Sequence, residues 1–179
     1  MQTTVFLFHP HRRESRVNRT LAETVEKIIP VRYLYDLYPD GKIDVAAEQA
    51  VLEKTDRIVL QFPMYWYGAP SLVKEWENQV LQYGWAYGSS GNALHGKELV
   101  IAITPGATLA DYSHTGSAKY TVTELLRPFQ ATSHLIGTIY KRPFSVDGMQ
   151  LSDEELSQAA QDYAAYLLED NLITLGDYE

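Results

Sequence analysis

Two rhythms of apolar and polar positions alternate along this chain. Thr4-Val-Phe-Leu-Phe8, Val31-Arg-Tyr-Leu-Tyr35, Arg57 to Phe62, Leu99-Val-Ile-Ala-Ile103 and Leu135-Ile-Gly-Thr-Ile-Tyr140 are short, largely continuous apolar runs. Runs of that length predict strands buried on both faces of a parallel sheet. The intervening stretches place apolar residues at helical spacing: Val17, Leu21, Val25 and Ile28, closed by Pro30; a weaker set of Ala46, Ala50 and Leu52 in 45–54; and Leu72, Trp76 and Val80 behind Pro70, which reads as a first helical position. A further helix is expected over 121–130, with Pro128 near its end. Another carries Leu156, Ala160, Tyr163 and Leu167 behind the capping box Ser152-Asp-Glu-Glu155. Five strands alternating with helices predict an α/β fold: a five-stranded parallel sheet, order 2-1-3-4-5, covered by helices on both faces.

In that order the loops after strands one, three and four meet at one edge, beside the crevice where such sheets bind ligands. They are also the least ordinary stretches of the sequence: His9 to Asn18, the aromatic Met64-Tyr-Trp-Tyr67, and Thr104 to Tyr120. Four large side chains in one loop fit either a hydrophobic plug over the sheet end or a platform for a flat, polar-edged ring. In the first loop, Ser15 is placed to cap a helix whose N-terminal N–H groups would face an anion, and Arg12, Arg13 and Arg16 add positive charge. The reading is a phosphate site, or else an ordinary capped helix with a solvated basic loop. His9 and His11, with no third ligand nearby, make a weak metal pair. Tyr112 and His114 share the third loop, where a phenol and an imidazole either relay protons or simply pack and dissolve.

Composition narrows the class. A chain of 179 residues that is 45% hydrophobic can bury a substantial core, and one domain over 1–179 is expected. The absence of cysteine removes disulfides and thiolate chemistry. A net charge of −8 argues against nucleic acid or an anionic membrane as partner. No leader and no apolar run near the ~18 residues of a membrane span is seen, so a cytoplasmic protein is expected. There is no Gly-x-Gly-x-x-Gly, no phosphate loop after Gly41-Lys42 or Gly96-Lys97, and no Gly-x-Ser-x-Gly, which disfavours kinases, ATPases and esterases. Glu75 and Glu77 read as a solvated helix face, and the tail from Asp170 carries no signal.

The stretch Gln61-Phe-Pro-Met-Tyr-Trp-Tyr-Gly-Ala-Pro-Ser-Leu-Val-Lys-Glu-Trp76, continued by Gly84-Trp-Ala-Tyr-Gly88, resembles the flavodoxin-like NAD(P)H:quinone oxidoreductases. Tyr38-Pro-Asp40, Ile43-Asp44, Glu48-Gln49, Leu94-His-Gly-Lys97 and His9-Pro10 resemble the branch that includes the ancillary flavoproteins of glutathione-regulated potassium efflux. The resemblance runs from about Val5 to past Pro128. It implies a flavodoxin-like three-layer α/β/α sandwich that binds FMN or FAD and passes two electrons from NAD(P)H to a quinone. By the same resemblance, His9 and Ser15, Arg16, Val17 and Asn18 match phosphate and ribityl contacts. Met64, Tyr65, Trp66 and Tyr67 match the loop along the flavin ring, and Thr104, Pro105, Gly106 and Ala107 the loop at its polar edge. Tyr112 matches a tyrosine that assists hydride transfer, with His114 as its partner at a shorter spacing than usual. The family usually reads Thr-Thr-Gly-Gly where this chain has Thr104-Pro-Gly-Ala107, and Pro105 has no N–H to offer. The resemblance also implies a homodimer, with the Trp85 and Tyr87 region as contact; the alternative reading is a regulatory subunit that docks on a membrane potassium-efflux protein.

Overall fold

The computed structural model describes residues 1–148 and 150–177. Its sheet runs β2-β1-β3-β4-β5, every pairing parallel, in the order the sequence predicts. The strands are β1 (Thr3–Leu7), β2 (Val31–Tyr33), β3 (Arg57–Pro63), β4 (Glu98–Thr104) and β5 (Ile139–Tyr140). The larger helices are α1 (Arg16–Val25), α3 (Val45–Lys54), α4 (Ser71–Val80), α6 (Arg127–Leu135) and α7 (Asp153–Leu168), with single-turn α2 (Leu34–Leu37) and α5 (Val122–Leu125). Among the described residues no helix is long and apolar enough to cross a membrane.

Side-chain alternation sorts the strands into two unlike faces. Phe6, Phe8, Leu60, Phe62, Ile101 and Ile103 point to one, where they pack with Trp76 and Val80 of α4 and Phe129 of α6. Val5, Val59, Val100 and Ala102 point to the other, against Leu21 and Val25 of α1 and Leu156, Tyr163 and Leu167 of α7. Bulky residues thus face one helical layer and small ones the other, and both faces are buried, which is why the strands read as unbroken apolar runs. Gln61 lies two residues beyond Val59 and opposite Ala102, so a polar amide is carried on the small-residue face, fully buried.

Several boundaries differ from the sequence reading. β2 stops at Tyr33, because β1 offers ladder partners only as far as Leu7↔Tyr33; Leu34 and Tyr35 instead enter α2. α1 ends at Val25, leaving Ile28 exposed and Ile29 in the core. Pro70 is the N-cap of α4 rather than its first residue. In α3 the inward residues are Glu48 and Leu52, while Ala46 and Ala50 are exposed. Pro128 does not end a helix; it sits in the first turn of α6, where a missing N–H costs nothing. Leu135 therefore closes a helix, Gly137 turns left-handed at φ 72, and the fifth strand shrinks to two residues. After Pro143 the chain pairs with β4 again as β6 (Phe144–Ser145), opposite Ala102 and Ile103. This second piece delivers Gly148 to the carboxyl edge of the sheet.

The tail also has a role. Arg57, fully buried, pairs with Glu98 and donates to the carbonyls of Leu167 (2.7 Å) and Glu169 (2.8 Å) at the end of α7. Lys141 reaches Glu98 (3.1 Å) and the Leu172 carbonyl (3.1 Å), so the tail is fastened across the sheet end opposite the loops. Glu48, also buried, accepts from Arg32, the Tyr38 hydroxyl (2.6 Å) and Trp76 Nε1 (3.0 Å), which ties α3 and α4 to the edge of the sheet. Glu77 is not solvated: its carboxyl is largely covered and bonded to Lys74 at 2.6 Å. Trp85 is half-buried and donates to Glu53 (3.0 Å), Tyr87 is half-buried too, and the exposed ring of that region is Tyr83, 70% accessible.

Candidate functional site

The three loops do meet. His9, Ser15–Asn18, Pro63–Tyr65 and Thr104–Gly106 line one cleft of about 280 Å³ at the carboxyl edge of the sheet, joined by Glu14 and by Gly148 from beyond β6. Ser15 caps α1, its Oγ accepting the Asn18 N–H at 3.2 Å. The remaining first-turn N–H groups point out of the helix end toward the cleft, a disposition suited to an anion. His9 Nδ1 accepts the His11 N–H at 3.1 Å, so the proton of the neutral ring sits on Nε2. Partial burial, and secondarily the nearby His11, lower the His9 pKa from its ordinary value, which keeps it neutral and a donor.

The arginines behave otherwise than the sequence suggests. Arg12 pairs with Asp36 at 2.6 Å and covers the Tyr33 ring at 4.2 Å. Arg16 donates to the Leu151 carbonyl and to Asp153, both at 2.6 Å, fastening α1 to α7. Near the α1 end the cleft thus presents N–H dipoles and a neutral imidazole, together with Glu14 and an Arg16 held toward Asp153.

The aromatic turn is a two-residue hairpin. Tyr65 and Gly68 exchange both main-chain hydrogen bonds, at 3.1 and 3.0 Å, and the two residues between them are left-handed: Trp66 at φ 48 and Tyr67 at φ 61. That is the pattern of a type I′ turn, which ordinarily takes Asn or Gly. Two aromatic residues there are strained, and Trp66 is 95% exposed, so no packing compensates. The base of the turn is firm: Met64 is buried and its N–H donates to the Thr104 carbonyl at 2.9 Å.

In the loop after β4, Pro105 is buried and its carbonyl accepts the Gly148 N–H at 2.9 Å. Gly106 needs no glycine on conformational grounds, and a Cβ there would meet no protein atom within 4 Å. That open position on a cleft wall is room for a ligand, and with the donor-lined helix end it fits a phosphorylated ring compound such as a flavin. Ala107, Trp66 and Tyr67 lie outside the cleft wall. Tyr112 follows a short 3-10 turn (Leu109–Asp111); burial first, then Tyr67 and Asp111, raise its phenol pKa, so it stays protonated beside the aromatic turn. His114 is turned elsewhere. Its Nε2 lies 2.9 Å from both oxygens of Glu124, which also caps α5 through the Thr121 N–H at 2.7 Å. The structure thus pairs His114 with Glu124, not with Tyr112.

Sequence reasoning missed Gly148, because nothing marks a glycine in an irregular segment as part of a distant cleft. It gave no role to Gln61, although a lone amide in an apolar strand was a visible signal. Among the described residues no cluster of three metal-ligating side chains occurs, so His9 and His11 stand without further ligands.

Known proteins share this arrangement. A family model described as "Flavodoxin-like fold" matches residues 1–167. The uncharacterized NAD(P)H oxidoreductase YrkL of Bacillus subtilis (strain 168) is 45% identical, covering 93% of this chain and 98% of the relative. The glutathione-regulated potassium-efflux system ancillary protein KefF of Enterobacter sp. (strain 638) is 38% identical, covering 90% of this chain and 92% of the relative. The crystal structure of general stress protein 14 from Treponema denticola, in complex with FMN, superimposes with a TM-score of 0.90, with 40% identity over 93% of this chain and 98% of that one. The family model over residues 1–167 and the relatives matched over nearly their full length show that this chain belongs to the flavodoxin-like family that includes these NAD(P)H oxidoreductases and ancillary proteins.

Proposed function

We propose that the protein is an FMN-dependent NAD(P)H oxidoreductase that delivers two electrons to quinones or similar flat acceptors. The observation that carries this reading is the single cleft in which the capped end of α1, the aromatic turn and the open wall at Gly106 come together. The FMN complex of the Treponema denticola relative supports the cofactor, and the name of YrkL supports the reductant. The bound flavin would supply the two-electron chemistry. The chain's residues position and insulate. The first-turn N–H groups of α1 and His9 Nε2–H would hold the phosphate. The aromatic turn presents rings against which nicotinamide and acceptor pack in turn, excluding water. Tyr112 holds a proton on its phenol oxygen beside that turn, where it hydrogen-bonds an acceptor oxygen and yields a proton as charge develops.

Loaded with FMN and mixed with NADPH without oxygen, the protein should bleach, and a quinone should restore its colour. Tyr112→Phe should retain FMN and lose turnover about 10²-fold. A protein that takes up no flavin overturns the proposal, and a variant with unchanged turnover removes Tyr112 from it. The likeness to KefF supports a second role, docking on a potassium-efflux protein as a dimer, which co-purification with such a transporter would test.

A further inference from the structure

We propose that Gln61 and Tyr163 are positioning residues that hold in place a buried hydrogen-bond chain ending at Thr104, whose polarity, set at the Asn18 main-chain carbonyl, makes the Thr104 hydroxyl a donor to the ligand in the cleft. The chain runs from helix α7 through the sheet to the loop after β4. The Tyr163 hydroxyl donates to Gln61 Oε1 at 3.2 Å. Gln61 Nε2 donates to the Asn18 carbonyl at 3.0 Å and to Asn18 Oδ1 at 3.3 Å. Asn18 Nδ2 donates to Thr104 Oγ1 at 2.6 Å. All four residues are buried, so the chain is cut off from solvent that would scramble it.

Its direction follows from one group. The main-chain carbonyl of Asn18 can only accept, so the Gln61 atom facing it must be the NH₂. That places Gln61 Oε1 against Tyr163, whose hydroxyl must then donate. The same NH₂ also faces the Asn18 side chain, which must present its oxygen there and its nitrogen to Thr104. Thr104 Oγ1 therefore accepts, and its own proton is left over. Among the described residues it has no protein acceptor, and Thr104 lines the cleft. Burial raises the Tyr163 phenol pKa far above its ordinary value, so this end of the chain stays a donor at any working pH. The Phe144 ring, 5.0 Å from that of Tyr163, holds the phenol in place. Together with His9 Nε2–H and the end of α1, the chain gives the cleft a row of donors, which Glu14 also flanks. Such a row selects an acceptor-rich ligand, a phosphorylated polyol with a carbonyl-edged ring, and α7 takes part in that selection without touching it.

This inference rests on the flavin reading above, and FMN is the probe. Tyr163→Phe removes one oxygen and keeps the ring in its packing. It should weaken FMN binding by about tenfold, because the buried Gln61 Oε1 loses its partner and the amide is held less firmly against Asn18. In a Thr104→Val background, where the hydroxyl is gone, the same change should alter FMN affinity less than about twofold, and in Thr104→Ser the full effect should return. Tyr166→Phe removes a hydroxyl from the next turn of α7 that bonds the Arg142 carbonyl instead, and should leave FMN affinity unchanged. A role that is only structural would give the same Tyr163→Phe factor in both backgrounds, and that result overturns the inference. The ligand-free protein supplies an independent readout: the side-chain NH₂ resonances of Asn18 and Gln61 should exchange slowly with solvent and shift in Tyr163→Phe. Fast exchange overturns the chain itself. Wild-type protein with protected amides that takes up no FMN overturns the flavin reading, whereas FMN uptake with unprotected amides overturns only the present inference.

Discussion

The strained aromatic turn should be more stable with its most exposed ring removed. Trp66 holds φ 48, a left-handed conformation that costs about 1–2 kcal/mol for an ordinary residue and that Asn tolerates far better. The ring is 95% exposed, so Trp66→Asn forfeits about a twentieth of roughly 250 Å² of side-chain surface, or ~0.3 kcal/mol at ~25 cal/mol per Å². The strain relieved exceeds the burial lost, and a net gain of about 1 kcal/mol follows. For a chain of this size that corresponds to a rise in Tm of about 2–4 °C. Circular dichroism of the flavin-free protein, at low micromolar concentration, is the assay. An unchanged or lower Tm would refute the reasoning, because the ring would then have to be making contacts worth more than its strain. In the FMN-loaded enzyme the same variant should lose hydride-transfer rate. A substitution that raises stability and lowers turnover is the signature of strain retained for function.

The two glycines of the cleft should respond in opposite ways. A Cβ at Gly148 would lie 2.3 Å from the Pro105 carbonyl oxygen, so Gly148→Ala must displace the loop after β4 and should lower both Tm and FMN affinity; Gly106→Ala meets no protein atom and should lower FMN affinity with Tm unchanged, as titration and thermal unfolding would show. Glu77 gives a pH-dependent effect. Burial raises its carboxyl pKa in the folded chain against the lowering pull of Lys74, so its stabilising contribution is full below the ordinary value of 4.5 and is lost as pH rises through the folded value. Glu77→Gln should therefore be more stable than wild type at pH 7, with the difference closing below pH 4.5, measured by denaturant titration across that range.

The sheet was legible because its central strands β1, β3 and β4 are buried on both faces, and such strands announce themselves as apolar runs whatever their partners. The edges were not. β2 and the fifth strand end where a neighbour stops offering a ladder, as at Leu7↔Tyr33, and that is a property of the pair rather than of either segment. Pro128 shows the same limit in another form: proline marks a helix boundary, but only the preceding break at Leu126, φ −92 and ψ 4, tells that the boundary is a start. The tail looked featureless for a different reason. The carbonyls of Leu167 and Glu169 just before it and of Leu172 within it take the buried charges of Arg57 and Lys141, and carbonyls leave no trace in a sequence.

The site was legible in its residues and less so in its charges. Three arginines near the start of α1 read naturally as a phosphate clamp, yet Arg12 and Arg16 pair with Asp36 and Asp153, and neither Arg12 nor Arg13 lines the cleft. What remains is a helix end capped by Ser15, a histidine kept neutral by burial and a threonine hydroxyl pointed by a buried chain. These are oriented dipoles rather than mobile charges, fixed before any ligand arrives, so little reorganisation accompanies binding. Preorganisation of that kind has to be built from behind. The Asn18 side chain is aimed by Gln61, and Gln61 is held by the Tyr163 hydroxyl of α7. Gln61, the amide that interrupts the apolar pattern of β3, and the hydroxyl that Tyr163 carries into the core of α7 therefore join the two helices behind the sheet to the cleft at its edge.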